Sequence, residues 1–231
     1  MIAMIPARAG SKGVPNKNLR IVAGKPLIWH TIDTALKSGS FESVVVSTDS
    51  EEIARLSESY GADVPFLRPR ELASDDAKSV DVVLHALKEL EARGRWNTAN
   101  ICLLQPTCPL RTTDDIAEAI RLFHREGSQG SVISVCKVGD PHPYKMKVVY
   151  NGRLYPLFPG MSSEVARQSM PEVYRLNGAL YICASEALNK QRSFFHATHN
   201  VPFIMPENRS VNIDSELDIA LVEILMKESG S

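Results

Sequence analysis

The sequence has little excess charge and no long apolar run, and each shortage excludes a class of protein. Its 231 residues include 26 Lys and Arg against 27 Asp and Glu, a formal net charge of −1 at pH 7. A dedicated nucleic-acid binder would normally show a basic excess. No apolar stretch approaches the roughly 20 residues that a membrane-spanning helix needs, and the first residues lack the basic and long apolar segments of a signal peptide. The sequence therefore predicts a cytoplasmic protein that has neither nucleic acid nor a membrane as its partner.

Cysteines are few and scattered. Four occur in the chain, none in Cys-x-x-Cys spacing and none beside a cluster of histidines. The usual signatures of a zinc site or a disulfide framework are therefore missing. Cys102, Cys136 and Cys183 fall in apolar runs that are typical of strands, so we expect reduced, buried thiols. Internal repeats and low-complexity segments are also lacking.

The most informative feature that is present is a basic loop near the amino terminus. It covers residues 5–18, with the sequence IPARAGSKGVPNKN, between a short apolar strand pattern and a helical pattern. In open α/β sheets, ligands bind at the carboxyl ends of strands, and glycines in such a loop let backbone N–H groups turn toward an anion. The loop matches neither the Walker A nor the Gly-x-Gly-x-x-Gly pattern. It predicts a triphosphate site of another type, with an ordinary surface turn as the alternative. The candidate phosphate-binding residues are Arg8, Gly10, Lys12, Gly13 and Lys17.

Strand and helix patterns alternate along most of the chain. Short β-branched or apolar runs are separated by segments whose apolar residues recur at helical spacing, and Asp49 or Ser50 is the expected cap of the second helix. Repeated βα units predict an α/β three-layer sandwich around a mostly parallel, Rossmann-like sheet. The predicted strands are 2–5, 43–48, 100–105, 131–138, 179–184 and 201–205, with a brief extended piece at 64–67, and the predicted helices are 27–36, 51–60, 80–92, 112–123, 185–191 and 215–227.

The alternation is interrupted between about residues 140 and 172. Two extended patterns, 146–150 and 153–158, flank Asn151-Gly152, a strong signal for a two-residue hairpin turn. We therefore predict a single domain, residues 1–231, that carries a small excursion at 140–172.

Three polar clusters lie at the ends of predicted strands, and a fourth lies just before the last predicted helix. Residues 47–49 and 105–111 each end a strand, residues 175–178 precede the strand at 179, and residues 212–214 precede the last helix. Because ligands bind at strand ends in such sheets, the clusters are candidates for one site. For Asp49, capping the following helix is the alternative role.

Together these segments resemble the bacterial CMP-sialic acid synthetases, which are N-acylneuraminate cytidylyltransferases, and their relatives for other nine-carbon keto-sugar acids. The resemblance spans nearly the whole chain in the family's order. The segments that carry it are 5–18, 46–49, 68–75, 103–111, 175–182 and 212–218.

The resemblance implies a reaction and a set of nucleotide contacts. CTP and a nonulosonic acid would give a CMP-sugar and pyrophosphate, with Mg²⁺ as cofactor, for cell-surface glycan biosynthesis. Arg8 and Lys17 match triphosphate-binding positions, and Arg68 and Ser79 match positions that recognise cytosine. The implied nucleotide-binding residues are Arg8, Gly10, Ser11, Lys17, Asn18, Arg68 and Ser79, and the implied catalytic residues are Arg8, Lys12, Lys17 and Asp214.

The same resemblance implies a sugar pocket that two subunits share. Gln105, Tyr181, Phe194 and Phe195 match positions that line the pocket, and Arg167 matches an arginine that a neighbouring subunit contributes toward the sugar carboxylate. The excursion at 140–172 would then build a homodimer. Simple core packing is the alternative for the two phenylalanines, and a solvated loop position is the alternative for Arg167.

One motif departs from the family pattern. The usual Asp-Ile-Asp, whose carboxylates hold Mg²⁺, is replaced by Asn212-Ile213-Asp214. Asp214 can still serve as a metal ligand, and Asn212 offers a carbonyl oxygen without charge. Cys108 stands where many relatives have Ser, a nearly isosteric change that we expect to be neutral.

Two other functions remain open from the sequence. One is a cytidylyltransferase for an eight-carbon keto-sugar acid. The other is a nucleotide-binding regulatory protein without turnover, for which the only support is Asn212. No residue in these motifs is an obvious general base.

Overall fold

The computed structural model describes residues 1–11, 13–94, 100–160, 164–196 and 199–229. The strands are β1 Ile2–Pro6, β2 Ile21–Val22, β3 Lys25–Pro26, β4 Ser43–Ser47, β5 Asn100–Leu104, β6 Ser131–Lys137, β7 Lys147–Tyr150, β8 Arg153–Pro156, β9 Tyr174–Ala184 and β10 Asn200–Met205. The α-helices are α1 Leu27–Lys37, α2 Glu51–Ser59, α3 Ser79–Ala92, α4 Thr113–Arg125, α5 Ser185–Gln191 and α6 Glu216–Ser229.

A six-stranded sheet forms the centre of the molecule, in the order β10-β6-β9-β5-β1-β4. Strand β1 pairs in parallel with β4 and β5, β6 pairs in parallel with β10, and β9 runs antiparallel between β5 and β6. The predicted α/β class with a mostly parallel sheet is confirmed.

Alternating side chains of β1 explain the three layers. Ala3 and Ile5 belong to a buried cluster with residues of α1 and α4, whereas Ile2 and Met4 belong to a second cluster with residues of α3. Successive side chains of a strand point to opposite faces, so a strand that is apolar throughout is covered by helices on both sides.

Strand β9 differs from the prediction in a way that matters for function. It begins at Tyr174, not at Ala179, so the polar residues 175–178 lie inside the strand. Gly178 adopts φ +75°, and the pairing of β9 with β6 shifts register between Ile133 and Val135. Because β9 is antiparallel to its neighbours, its first half lies beside the carboxyl ends of β5 and β6. The direction of the strand therefore brings these residues to the edge of the sheet at which β5 and β6 end.

The hairpin prediction is confirmed by β7 and β8, which pair from Lys147–Pro156 to Tyr150–Arg153. Asn151 and Gly152 both have positive φ, 49° and 72°, as a type I′ turn requires. The hairpin is strongly exposed, with Val149 at 69% and Leu154 at 71% of their full accessibility.

Side chains cap α2 and α4, and the cap of α2 is one of the two residues that the sequence predicts. Thr112 caps α4 and forms a reciprocal capping box with Asp115. The cap of α2 is Ser50, whose side chain accepts a hydrogen bond from the Ile53 amide, and Asp49 does not fill this role. The four cysteines are buried and unpaired, as expected. In the described part of the chain, no helix is both long and apolar enough to cross a membrane.

Candidate functional site

The loop that follows β1 packs directly against the segment 212–214. A Cβ atom placed on Gly13 would lie 2.4 Å from the Asp214 carbonyl oxygen, so only glycine permits this close approach. The buried Lys17 ammonium donates to the Ile213 carbonyl at 2.5 Å and pairs with the Asp214 carboxylate at 3.0 Å. The predicted phosphate loop and the predicted metal segment therefore form one structure.

Hydrogen bonds within the loop fix its shape. The Lys17 amide donates to the Ser11 hydroxyl at 3.1 Å, and the Asn18 side chain donates to the Arg8 carbonyl at 2.9 Å. Gly10 is exposed and has open space where a Cβ would lie, so this position makes no steric demand for glycine. Lys12, which the sequence also assigned to the site, lies outside the described residues.

Arg8 and Asp49 connect the loop to neighbouring segments. The Arg8 guanidinium lies 2.7 Å from the Asp75 carboxylate and donates to the Ala73 carbonyl at 3.3 Å. The Asp49 carboxylate accepts from the Ala9 amide at 3.0 Å. Asp49 thus supports the loop from beside β4 rather than capping α2.

Arg68 is buried, with only 5% of its surface accessible. Within the described residues its Nε and Nη2 atoms have no hydrogen-bond partner, and Nη2 lies 4.0 Å from the Asp49 carboxylate. Burial lowers the pKa of the guanidinium, against the opposing charge of Asp49. Unsatisfied buried donors are costly, and these two donors are free to bond acceptor groups that enter the site.

A cleft of about 250 Å³ brings most of the predicted nucleotide residues together. We call it the smaller cleft. Gly10 is not among the residues that line it. Ser79, the first residue of α3, joins its wall although it is far from the loop in sequence. The predicted residues that line it are Arg8, Ser11, Lys17, Asn18, Arg68, Ser79 and Gln105.

A second cleft, of about 890 Å³, which we call the larger cleft, also has Gln105 in its wall. Tyr181, Asn212 and Asp214 line it as well. Several other lining residues have no individual role that the sequence predicts. Arg175 was visible inside a polar cluster, but nothing in the sequence indicated which residues of α6 would face the cleft. The unassigned polar and apolar residues include Arg175, Glu207, Asn208, Asp218, Leu221 and Leu225.

The aromatic residues lie behind and beside Tyr181. Phe194 is buried in the same core cluster as Tyr181, with ring centroids 5.5 Å apart. Phe195 is 49% exposed and meets Tyr181 edge-on at 6.5 Å. Burial raises the pKa of Tyr181, so its phenol stays neutral and can donate a hydrogen bond.

Arg167 lies in a short 3₁₀ turn, Arg167–Ser169, within the excursion. Its side chain is outside the described part of the structure. Its predicted role therefore stays a prediction.

The oxygen atoms at and beside Asp214 suit a cation whose other ligands come mainly from a bound substrate. The Asn212 amide nitrogen donates to the Asp214 carboxylate at 2.5 Å, while the Cys108 thiol lies 3.5 Å from the Asn212 carbonyl oxygen. Ile213 between them is buried. Among the described residues no cluster of three or more His, Cys, Asp or Glu is placed to hold a metal. Mg²⁺ needs only one or two carboxylates when phosphates and waters supply its other ligands, so this set fits Mg²⁺ beside a bound triphosphate.

An α/β sheet whose clefts open at the carboxyl ends of its strands is the arrangement of the nucleotide-binding α/β enzymes. Residues 2–203 match the family model described as Cytidylyltransferase. The chain belongs to the cytidylyltransferase family and is a nucleotidyltransferase.

Relatives of known name are similar over almost the whole chain. A CMP-N,N′-diacetyllegionaminic acid synthase of Legionella pneumophila is 36% identical over 227 residues, 98% of this chain and 96% of the relative. An N-acylneuraminate cytidylyltransferase of Escherichia coli is 37% identical over 230 residues, 100% of this chain and 53% of the relative. A pseudaminic acid cytidylyltransferase of Campylobacter jejuni is 32% identical over 226 residues, 98% of this chain and 96% of the relative. The predicted family resemblance is confirmed.

Solved structures share the fold at lower identity. A CMP:2-keto-3-deoxy-manno-octonic acid synthetase in complex with CTP superimposes with a TM-score of 0.72 at 18% identity, over 99% of this chain and 98% of that one. A 4-diphosphocytidyl-2C-methyl-D-erythritol synthase gives 0.66 at 15%, over 97% and 98%.

Proposed function

We propose that the protein transfers a cytidylyl group from CTP to a nonulosonic acid, a nine-carbon 2-keto-3-deoxy sugar acid such as sialic, legionaminic or pseudaminic acid. The observation that carries the proposal is the meeting of two clefts at Gln105. The smaller one holds Arg8, Lys17 and Arg68, which suit a nucleoside triphosphate, and the larger one has room for a sugar acid. The names of the relatives support this class of acid.

In this proposal the smaller cleft binds CTP. Arg8 and Lys17 hold the triphosphate, with Lys12 in the same loop and Ser11 and Asn18 shaping it. The unpaired Arg68 donors and Ser79 face the cytosine, whose carbonyl and ring nitrogen are acceptors. A site with buried donors discriminates strongly against a ligand that leaves them unpaired.

The sugar acid occupies the larger cleft, against Gln105 and the Tyr181 phenol. Phe194 supports Tyr181 from behind, and Phe195 borders the pocket beside it. Asp214, which lines this cleft and pairs with the loop lysine, stands between the two substrates.

The chemistry is an in-line displacement at the α-phosphate. The oxygen of the anomeric C2 hydroxyl bonds to the α-phosphorus and its proton passes to solvent, while the bond from the α-phosphorus to the α,β-bridging oxygen breaks and pyrophosphate leaves. Arg8 and Lys17 stabilise the charge that develops on the leaving group. Asp214, with Asn212 beside it, would hold Mg²⁺, which when bound supplies charge neutralisation at the phosphates and a lower pKa for the attacking hydroxyl. We assign no general base.

Pyrophosphate release tests the function directly. Purified protein with CTP and Mg²⁺ is incubated with N-acetylneuraminic, N,N′-diacetyllegionaminic or pseudaminic acid, and with 2-keto-3-deoxy-octonic acid as the eight-carbon comparison. We expect turnover with one of the nine-carbon acids and much less with the eight-carbon acid. Preference for the eight-carbon acid would move the function to that substrate. CTP binding without any turnover would indicate a regulatory nucleotide-binding protein.

We also propose that the chain is one nucleotidyltransferase domain that works as a cytoplasmic homodimer, with the excursion at 140–172 as the dimerisation insertion. The exposed apolar residues of the β7–β8 hairpin support this assignment, because such a surface is usually covered by a partner. Arg167 would then reach the sugar carboxylate of the neighbouring subunit, a charge-assisted contact.

A mixing experiment tests the shared site. Arg167→Ala and Arg8→Ala inactivate different halves of each composite site, so each homodimer should be nearly inactive. Heterodimers of the two variants contain one intact site and should recover about half of the wild-type turnover per dimer. A fully active monomer, or verified heterodimers without recovery, would refute the shared site.

A further inference from the structure

Arg111 is a fully buried cation that takes no part in the site described above. Only 3% of its surface is accessible, and no carboxylate of the described residues lies within ion-pair distance of it. Burial lowers the pKa of its guanidinium. Burying a charge without an ionic partner is expensive, so its hydrogen bonds indicate what the arginine is for.

Those hydrogen bonds lead to the two backbone segments that meet at the larger cleft. One terminal nitrogen of Arg111 donates to the Ala179 carbonyl, and both terminal nitrogens approach the Gln105 carbonyl, at 3.4 and 3.5 Å. The second nitrogen also donates to the Thr31 hydroxyl of α1 at 2.9 Å. Three separate segments are tied to one planar group.

The guanidinium lies where the ladder between β5 and β9 ends. The last pair of these strands is Leu104 with Leu180, and the next residues on each strand are Gln105 and Ala179. Beyond that point β9 carries Gly178 in the left-handed region, and the strands separate. Arg111 binds the two carbonyl oxygens at this opening and takes the place of the missing ladder bonds.

The opening is also where the Gln105 side chain is set. A Cβ on Gly178 would lie 3.1 Å from the Gln105 side-chain oxygen, so the side chain lies closely over this glycine. Gln105 lines both clefts. Fixing the peptides of Gln105 and Ala179 therefore fixes the side chain at the junction of the two substrates.

We propose that Arg111 is a positioning residue for the transfer reaction, which holds Gln105 against Gly178 at the boundary of the nucleotide and sugar clefts. The inference rests on the proposed function, since it assigns the sugar acid to the cleft beside Gln105. We expect Arg111 to affect the acid more than CTP. The reason is that none of the segments that Arg111 ties together includes the β1 loop or Arg68.

The test compares Arg111→Lys and Arg111→Met with the wild type, using the acid that turns over fastest in the substrate panel. In both variants kcat/KM for the acid should fall, on the order of tenfold to a hundredfold for Arg111→Met, and less for the charged Arg111→Lys. The dissociation constant for CTP, measured by calorimetry, should stay within about twofold. A tenfold change in this constant would correspond to about 1.4 kcal/mol. Ile53→Ala, a core truncation in α2, is the control for general destabilisation.

Hydrogen exchange gives a readout that does not depend on turnover. Arg111→Met should raise exchange in peptides that cover 104–111 and 176–181, while peptides of the loop 13–18 keep the wild-type rate. An even rise in all peptides, an unchanged rate, or equal losses for CTP and acid as in Ile53→Ala would overturn the positioning role. A wild-type protein without turnover, but with the local exchange effect, would instead count against the proposed function alone.

Discussion

The two groups of cations in the smaller cleft are held in opposite ways. Arg68 is buried, and its Nε and Nη2 atoms have no hydrogen-bond partner in the described structure. Arg8 and Lys17, on the β1 loop, are each paired with a carboxylate, Asp75 at 2.7 Å and Asp214 at 3.0 Å. Arg68 keeps two of its donors free at a cost in stability, whereas carboxylates of the protein neutralise the charges of Arg8 and Lys17.

The difference follows from what each region is proposed to bind. Cytosine is neutral and offers acceptors, so donors that are already in place gain hydrogen bonds without displacing anything. A triphosphate carries several charges and competes well for Arg8, a partly exposed cation in a weak pair, and for the buried Lys17, whose partner Asp214 is itself exposed. We infer that CTP binding fills a prepared pocket at the base and exchanges ion pairs at the phosphates.

Asp214→Ala is expected to have the largest effect on the paired cations. It removes the proposed metal carboxylate and releases Lys17, so turnover should fall by at least about a thousandfold at every Mg²⁺ concentration. Pyrophosphate release across a Mg²⁺ titration measures the effect.

Glu216→Gln is the matched control, because Glu216 lies two residues after Asp214. The substitution removes one acidic charge from an exposed pair with Arg20. It should leave turnover nearly unchanged. If Asp214→Ala kept near-normal activity, the metal would have to be held elsewhere.

Arg68→Met tests the base region and should separate stability from function. Removing a buried charge with unsatisfied donors should leave the unfolding free energy unchanged or raise it by about 1 kcal/mol. The melting temperature should change in the same direction. The kcat/KM for CTP should fall by about a hundredfold, with a smaller change for UTP. Thermal unfolding and parallel assays with CTP, UTP and ATP give both quantities. A destabilised variant that keeps its preference for CTP would show that Arg68 is a structural residue.

The sequence predicted the sheet, the helices and the β1 loop because their signals are local. Apolar runs, Ser50 as a cap and Asn151-Gly152 as a turn each act within a few residues. The family resemblance then related distant segments that no local pattern connects. The contact between Gly13 and Asp214 is an example, since it depends on how two loops fold onto each other.

The sequence did not predict where β9 begins or what Arg111 does. Residues 175–178 combine polar side chains with a glycine in positive φ, a composition typical of loops, yet pairing with β6 continues the strand through Tyr174. Long-range pairing outweighs local preference in strands. Arg111 looked like part of a strand-end motif, and only its burial and its bonds to two carbonyls reveal a role.

Asp75→Asn tests whether the pair with Arg8 competes with the triphosphate. Removing the competing carboxylate should lower the dissociation constant for inorganic pyrophosphate about threefold at low salt, the size of effect expected for a partly exposed pair. Raising the ionic strength should reduce the difference. Calorimetry with pyrophosphate measures both, and Asp76→Asn removes the same charge one residue away as a control. A weaker affinity in Asp75→Asn would mean that Asp75 orients Arg8 for its ligand.

Asn212→Asp is expected to give the smallest change and concerns the paired region. The Asn212 amide now donates to the Asp214 carboxylate at 2.5 Å, so the substitution replaces a hydrogen bond by two facing carboxylates. Without metal this repulsion should lower the melting temperature, and Mg²⁺ should restore it, because hard cations bind more tightly as ligand charge increases. The Mg²⁺ titration of turnover should therefore shift about twofold toward lower concentration, while the preference for CTP stays the same. Asn208→Asp adds the same charge to the larger cleft and should leave the titration in place. An unmoved titration in Asn212→Asp would remove residue 212 from the metal site and leave Asp214 as its only ligand in this segment.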